Sequence, residues 1–179
     1  MAFTPCASIT SGLNGTSCTP NPGGVQEIYL ANFSAITFVS STGGTISGVT
    51  GGSGNFYTYS FRRNTCNAQE DLTKDLATGS LFYTQTITIV LDHKDKVKRD
   101  ELMLLDNALM VVIAKHSDGT YWMYGHGLGT EGDGMYVTTN VSQTGTTKSD
   151  ANGYTITLVA EEANRASPVN EAIIAGLLA

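Results

Sequence analysis

At 179 residues, the chain suits one domain with extended loops better than two. Charged residues are only 15% of it, against about 25% in ordinary globular proteins. Gly, Thr, Ser and Asn must therefore cover much of the exterior, which suits a surface that becomes interface, because interface centres are depleted in charge. The formal net charge of -6 argues against tight binding to a phosphate backbone, which needs Lys and Arg to displace counterions. It does not argue against a passage that nucleic acid crosses without sticking. No run approaches the roughly 20 apolar residues of a membrane span. The opening Met1-Ala-Phe-Thr-Pro5 has no basic segment followed by an apolar one, so no signal peptide is expected. Cys6, Cys18 and Cys66 form an odd set without CxxC spacing. A Cys6–Cys18 bridge would tie the N-terminal segment, but reduced thiols are the reading for a protein assembled in the cytoplasm.

Residues 1–24 are rich in Ser, Thr, Asn, Gly and Pro, end in Asn21-Pro-Gly-Gly24, and read as an extended arm closed by a turn. Strands are expected over Val25–Ala31 and Ala35–Ser40, and a short segment Thr45–Thr50 lies between Gly-rich turns. Two runs alternate with a period of two. In Asn55–Arg63, Tyr57, Tyr59 and Phe61 share one side. In Ser80–Asp92, Leu81, Tyr83, Ile87, Ile89 and Leu91 form an apolar row broken only by Gln85, opposite Thr84, Thr86 and Thr88. Alternation of this length predicts a sheet packed on one face and wet on the other. The polar stretch Asn64–Gly79 between them reads as a long connecting loop, a length that is often functional. Asp95–Ala108 predicts the single helix, capped by Asp95, with Val97, Glu101, Leu104, Leu105 and Ala108 as its stripe and Leu102 and Met103 widening it. Met110–Ala114 reads as a buried strand and His116–Thr120 as an Asp-Gly hairpin turn to Tyr121–Gly125. Gly125–Gly134, with five glycines, reads as a long flexible loop. A short strand follows within 135–147, then a turn at Asp150–Gly153 and a last strand over Tyr154–Ala160. The apolar tail Val169–Ala179 is expected to dock, on a neighbouring subunit in preference to its own. The fold class is thus mainly β, an antiparallel sandwich or partial barrel with one flanking helix. It divides into an arm (1–24), a sandwich domain (25–162) and a tail (163–179).

The candidate chemistry is thin. His93, His116 and His126 stand near carboxylates, but no nucleophile sits in a matching context, so they read as solvated loop residues and no catalytic residue is expected. Three scattered Cys and three His do not supply a zinc site, and no cofactor is implied. Gly125-His-Gly-Leu-Gly129 lacks the helix and Lys of a phosphate loop. Asp150-Ala-Asn-Gly153 lacks the bidentate Glu of a calcium loop. Lys94, Lys96, Lys98 and Arg99 are offset by Asp95, Asp100 and Glu101, a solvated helix face. Arg62 and Arg63 are candidates for a salt bridge between subunits. The sequons at Asn14, Asn32 and Asn140 carry no weight without a secretory signal.

The order of these features carries a resemblance. A Gly-Gly turn leads into a strand (Pro22-Gly-Gly-Val-Gln-Glu-Ile-Tyr-Leu-Ala-Asn-Phe33), and the long alternating strand Leu81–Leu91 follows. Then come the helix with Lys98-Arg-Asp-Glu-Leu102, the hairpin Met110–Trp122, the Gly-rich loop and the close Gln143–Glu162. Across most of residues 22–162 this layout resembles structural proteins of bacteriophage tails, notably of phages infecting Bacteroidetes, and is similar to the tail tube family. The resemblance implies a virion protein, assembled in the bacterial cytoplasm, whose copies close into stacked rings, hexameric in that family, around a conduit for DNA. It implies other tail proteins as partners and no membrane. It places Thr58, Ser60, Thr84, Thr86 and Thr88 on the lumen. It places Arg62, Arg63, Glu70, Asp71, Lys74, Gly127, Gly129, Ile173 and Leu177 at subunit interfaces, with the arm, the 64–79 and 125–134 loops and the tail as ring-to-ring contacts. The Gly/Ser/Thr-rich N-terminal half fits a neck or baseplate ring protein (a terminator or stopper) equally well. From another class, Tyr121, Trp122 and Tyr124 beside the Gly-rich loop suggest a carbohydrate- or host-surface-binding sandwich.

Overall fold

Strict alternation makes Leu81–Asp92, here β6, the longest strand of a computed structural model that describes residues 12–13 and 22–179. The expected arm, with Cys6, Cys18 and Asn14, lies almost wholly outside the described residues. In chain order the strands before β6 are β1 (Val25–Asn32), β2 (Phe38–Thr42), β3 (Thr45–Thr50), β4 (Tyr57–Ser60) and β5 (Cys66–Lys74). After it come α1 (Lys96–Leu105), β7 (Met110–His116), β8 (Tyr121–Tyr124), β9 (Tyr136–Gln143), β10 (Gly153–Glu162), β11 (Ser167–Val169) and α2 (Glu171–Leu177).

The strands form two sheets. One has seven strands in the order β2-β3-β11-β8-β7-β1-β4, and the other has four in the order β5-β6-β10-β9. All the pairings are antiparallel except β3 with β11. Among the described residues neither sheet closes into a barrel. The fold is the expected mainly-β sandwich, with two helices rather than one.

Between the sheets, the odd row of β6 (Ile87, Ile89, Leu91) meets Tyr154, Ile156 and Leu158 of β10 and, from the facing sheet, Ile28, Leu30, Val112 and Ala114. Each Ile, Leu or Val among them contributes about 1.5–3 kcal/mol when buried. The seven-stranded sheet is also buried on its other face. There Tyr29, Val39, Ile46, Val111, Ile113 and Met123 pack with Phe56 and with Ile174 and Leu177 of α2. Strands covered on both faces need continuous apolar runs, which explains Met110-Val-Val-Ile-Ala114, buried throughout.

Three expectations are corrected. Asn64–Gly79 is a hairpin arm, because β5 pairs with β6 from Cys66↔Ile89 to Lys74↔Leu81. The tail docks on its own chain. Asn170 caps α2 through Ala172 N–H, Val169 pairs with Ile46, and Leu178 bridges to Phe56. The helix is capped by Asp95, which accepts from Lys98 N–H at 2.8 Å, but its stripe is rotated. Leu102 is the side chain it buries, while Val97 and Leu104 are 79% and 69% exposed.

Candidate functional site

The outer face of the four-stranded sheet is a regular surface four strands wide. Directly opposed residues share a face, so the register reads out its rows. Asn67, Thr88, Thr157 and Thr139 lie across one row, Gln69, Thr86, Val159 and Tyr136 across the next, and Val90, Thr155 and Val141 across a third. Asp71, Thr84 and Glu161 make a further row. β-Branched Thr and Val favour this pleated surface, and the short hydroxyls leave it flat. Its acidic side chains, Asp71 and Glu161, share it with no Lys or Arg from the four strands. No described element covers it, and no described strand pairs with the outer edge of β5 or of β9.

The expected lumen residues divide between two surfaces. Thr84, Thr86 and Thr88 lie on this open face. Thr58 and Ser60 lie on β4, opposite Tyr29 and Glu27, and Tyr29 belongs to the far core of the seven-stranded sheet. Both sheets therefore stand between the two rows, and one wall cannot contain both. The alternation in Asn55–Arg63 was legible, but which sheet it joins depends on the partner strand.

The expected interface residues are largely occupied within the chain. Arg62 pairs with Asp92 at 3.0 Å instead of being held for a neighbour; an exposed pair of this kind adds up to about 1 kcal/mol. Glu70 accepts from Ala166 N–H at 2.6 Å and from Gln85 Nε2. Gly129 bridges to Val39 with both N–H···O bonds at 2.7 Å, and Gly127 N–H donates to Glu131. Leu177 is buried and Ile173 half-buried against their own sheet. Arg63, Asp71 and Lys74 are exposed.

Sequence reasoning missed a buried polar cluster under the Gly-rich loop. Gln85, 2% exposed, accepts from Gly125 N–H at 2.9 Å and reaches Glu70 and the Asn164 carbonyl. It breaks the apolar row because that loop must be anchored there. Gly125 has φ +74°, and a Cβ would come within 2.8 Å of the Met135 nitrogen, so only glycine fits. Buried Glu162 accepts from Asp133 N–H at 3.0 Å, and burial raises its pKa. The Gly125–Gly134 loop is thus pinned at several points.

Two of the three histidines pack against other rings, one of them buried and one half-buried. His126 is buried, with Nδ1 2.7 Å from the Gly127 carbonyl and its ring on Phe33. His116 stacks on Trp122, and burial holds its pKa below the usual value. His93 is exposed, with φ +61°. Tyr121 and Tyr124 are buried and Trp122 is half-buried with its Nε1–H on Thr120, so these rings do not form the exposed platform a carbohydrate site needs. Burial pushes the Cys66 thiol up to about 12, which leaves it protonated and unreactive at neutral pH. Among the described residues, no three His, Cys, Asp or Glu side chains gather where they would hold a metal ion. No described helix is long and apolar enough to cross a membrane.

A second surface lies at the edge of the sandwich. Leu30 and Tyr57 on the seven-stranded sheet, Val97, Leu104 and Leu105 on α1, and Ala108 just beyond it border a groove of about 670 Å³. Tyr59 Oη donates to Glu101 at 2.7 Å across it. No family model, curated protein or solved structure matches this chain.

Proposed function

We propose that this chain is a structural subunit that assembles with its own copies into rings, as tail tube proteins do, with the four-stranded sheet as its contribution to the conduit wall. The observation that carries this reading is the threonine face, open among the described residues, between two edges that no described strand pairs. Unpaired strand edges and a broad uncovered sheet are a liability in a monomer. Setting β9 of one copy beside β5 of the next removes both edges and continues the sheet around a ring. The face then becomes a lumen of short hydroxyls with Asp71 and Glu161 and without basic side chains, which repels a phosphate backbone and lets DNA slide. The lumen residues in this reading are Thr84, Thr86 and Thr88, joined by Thr139, Thr155 and Thr157; Thr58 and Ser60 leave the list.

Size-exclusion chromatography with negative-stain electron microscopy tests it. Rings or tubes with a central channel are expected as concentration rises. A chain that stays monomeric at high concentration, alone and with extract of phage-infected cells, sinks the reading. In assembled tubes, Thr86→Cys should react with small maleimides and resist bulky ones; rapid labelling by a bulky probe would move the face to the outside.

A further inference from the structure

We infer that the outer edge of β4, with the groove beside α1, is a docking site for an extended peptide strand that carries an apolar side chain and, two residues away, a basic one. The site lies on the seven-stranded sheet and stands whether or not the four-stranded sheet closes a ring.

Strand pairing fixes which backbone groups point outward from β4. Phe33 N–H, one step beyond the Asn32↔Met110 pair, donates to the Leu109 carbonyl at 2.9 Å. Bonded pairs along an antiparallel ladder recur at every second residue. Ala31 and Tyr29 therefore bond to β7, opposite Val111 and Ile113, while Leu30 and Ile28 turn their backbone groups to Tyr57 and Tyr59 of β4. Thr58 and Ser60 are left with N–H and C=O facing away from β1. Phe56 has the same parity. Its N–H donates to the Leu177 carbonyl at 3.1 Å and its carbonyl accepts from Ala179 N–H at 2.9 Å, in a parallel bridge to Leu178. This edge thus already takes a strand-like segment of its own chain. Beyond that bridge no described residue pairs with Thr58 or Ser60, and both are exposed.

The groove supplies the recognition of side chains. A strand added at this edge shares faces with its neighbour, so its side chains level with Tyr57 and Tyr59 point toward α1. Tyr57, Val97 and Leu104, each more than half exposed, line the groove there and suit an apolar side chain. Level with Tyr59 the chemistry changes. Among the described residues that line the groove, Glu101 is the one charged side chain. Its Oε1 accepts from Tyr59 Oη at 2.7 Å, and no Lys or Arg among the described residues pairs with it. A basic side chain two residues from the apolar one meets that carboxylate. Backbone groups of a free edge give such a site its affinity, and alternate side-chain pockets give it specificity. A small apolar ligand would leave the Thr58 and Ser60 groups unused, so a strand is the occupant that fits both features.

Fluorescence anisotropy with the full chain tests it. The probes are labelled Thr/Ser peptides of about eight residues, an ordinary strand length, with a central Leu-Thr-Lys or Lys-Thr-Leu to cover both strand directions. One of the two is expected to bind about tenfold tighter than its counterpart with Glu in place of Lys, because an exposed attraction becomes a repulsion. Glu101→Gln, which keeps an acceptor for Tyr59, should erase that preference and leave the apolar contribution. The same peptide N-methylated through its central three residues cannot donate to the edge and should lose binding. In hydrogen exchange, the bound probe should slow the Thr58 and Ser60 amides. The site is refuted if neither Lys peptide binds, if the Lys and Glu peptides bind alike, or if the protection falls elsewhere. Circular dichroism checks that the Glu101→Gln variant, changed at an exposed position, folds. Ring formation is read separately by electron microscopy, so failure of one reading leaves the other standing.

Discussion

The two sheets of this protein have opposite economies. The seven-stranded sheet is a central layer buried on both faces, between the core it shares with the four-stranded sheet and a second core closed by Phe56 and α2. The four-stranded sheet buries one face and leaves the other open. Burial is therefore concentrated in the first, while the second keeps one face and both strand edges uncovered among the described residues.

Substitutions should separate the two. Phe56→Ala removes a fully buried ring from the second core and should cost about 3–5 kcal/mol in denaturant unfolding, the largest effect expected here. A loss below 1 kcal/mol would mean that α2 and its contacts carry little of the fold. Gln85→Leu keeps the volume but leaves the Gly125 N–H without its partner. It should cost about 1–3 kcal/mol and speed hydrogen exchange at Gly125 before exchange rises elsewhere.

Glu162→Gln should change the pH dependence of stability. Burial raises the Glu162 pKa in the folded state, so folding binds the protonated form better. Its contribution is fully present below the unfolded carboxyl pKa and fades as pH rises through the folded one. The variant should gain stability relative to wild type as pH rises above the ordinary Glu value of about 4.3, read from urea midpoints; a constant difference would place the Glu162 charge in solvent. The smallest effect is expected on the open face. Thr157→Val should shift monomer stability by no more than about 0.5 kcal/mol, and a larger change would mean that the face is covered.

Much of this was legible before the fold. The alternation of Ser80–Asp92 named which side chains of β6 go inward, Asp95 announced the helix start, and Asp118-Gly119 announced the β7–β8 turn. These signals are local, set by backbone geometry and by periods of two or 3.6 residues. β5 escaped notice because Cys66-Asn-Ala-Gln-Glu-Asp-Leu-Thr-Lys74 buries Cys66 alone outright and is a strand through its pairing with β6. The three residues of β11 are too few to show a period. The groove was hidden for a related reason. Val97 and Leu104 look like core residues on a helical wheel, and only the direction in which α1 docks turns Leu102 inward and leaves them outside.

The open face shows the same division. From sequence alone, Thr84, Thr86 and Thr88 had to share one wet side of a strand, since alternate side chains of a strand always do. Whether Thr58 and Ser60 joined them depended on the sheet that took in β4, and strand pairing is a contact between distant segments that no local pattern encodes. Tertiary structure set those two on the opposite side of the molecule, left the face of β6 uncovered and the outer edges of β5 and β9 unpaired among the described residues, and put the hairpin tip and the helix groove at opposite ends of β6.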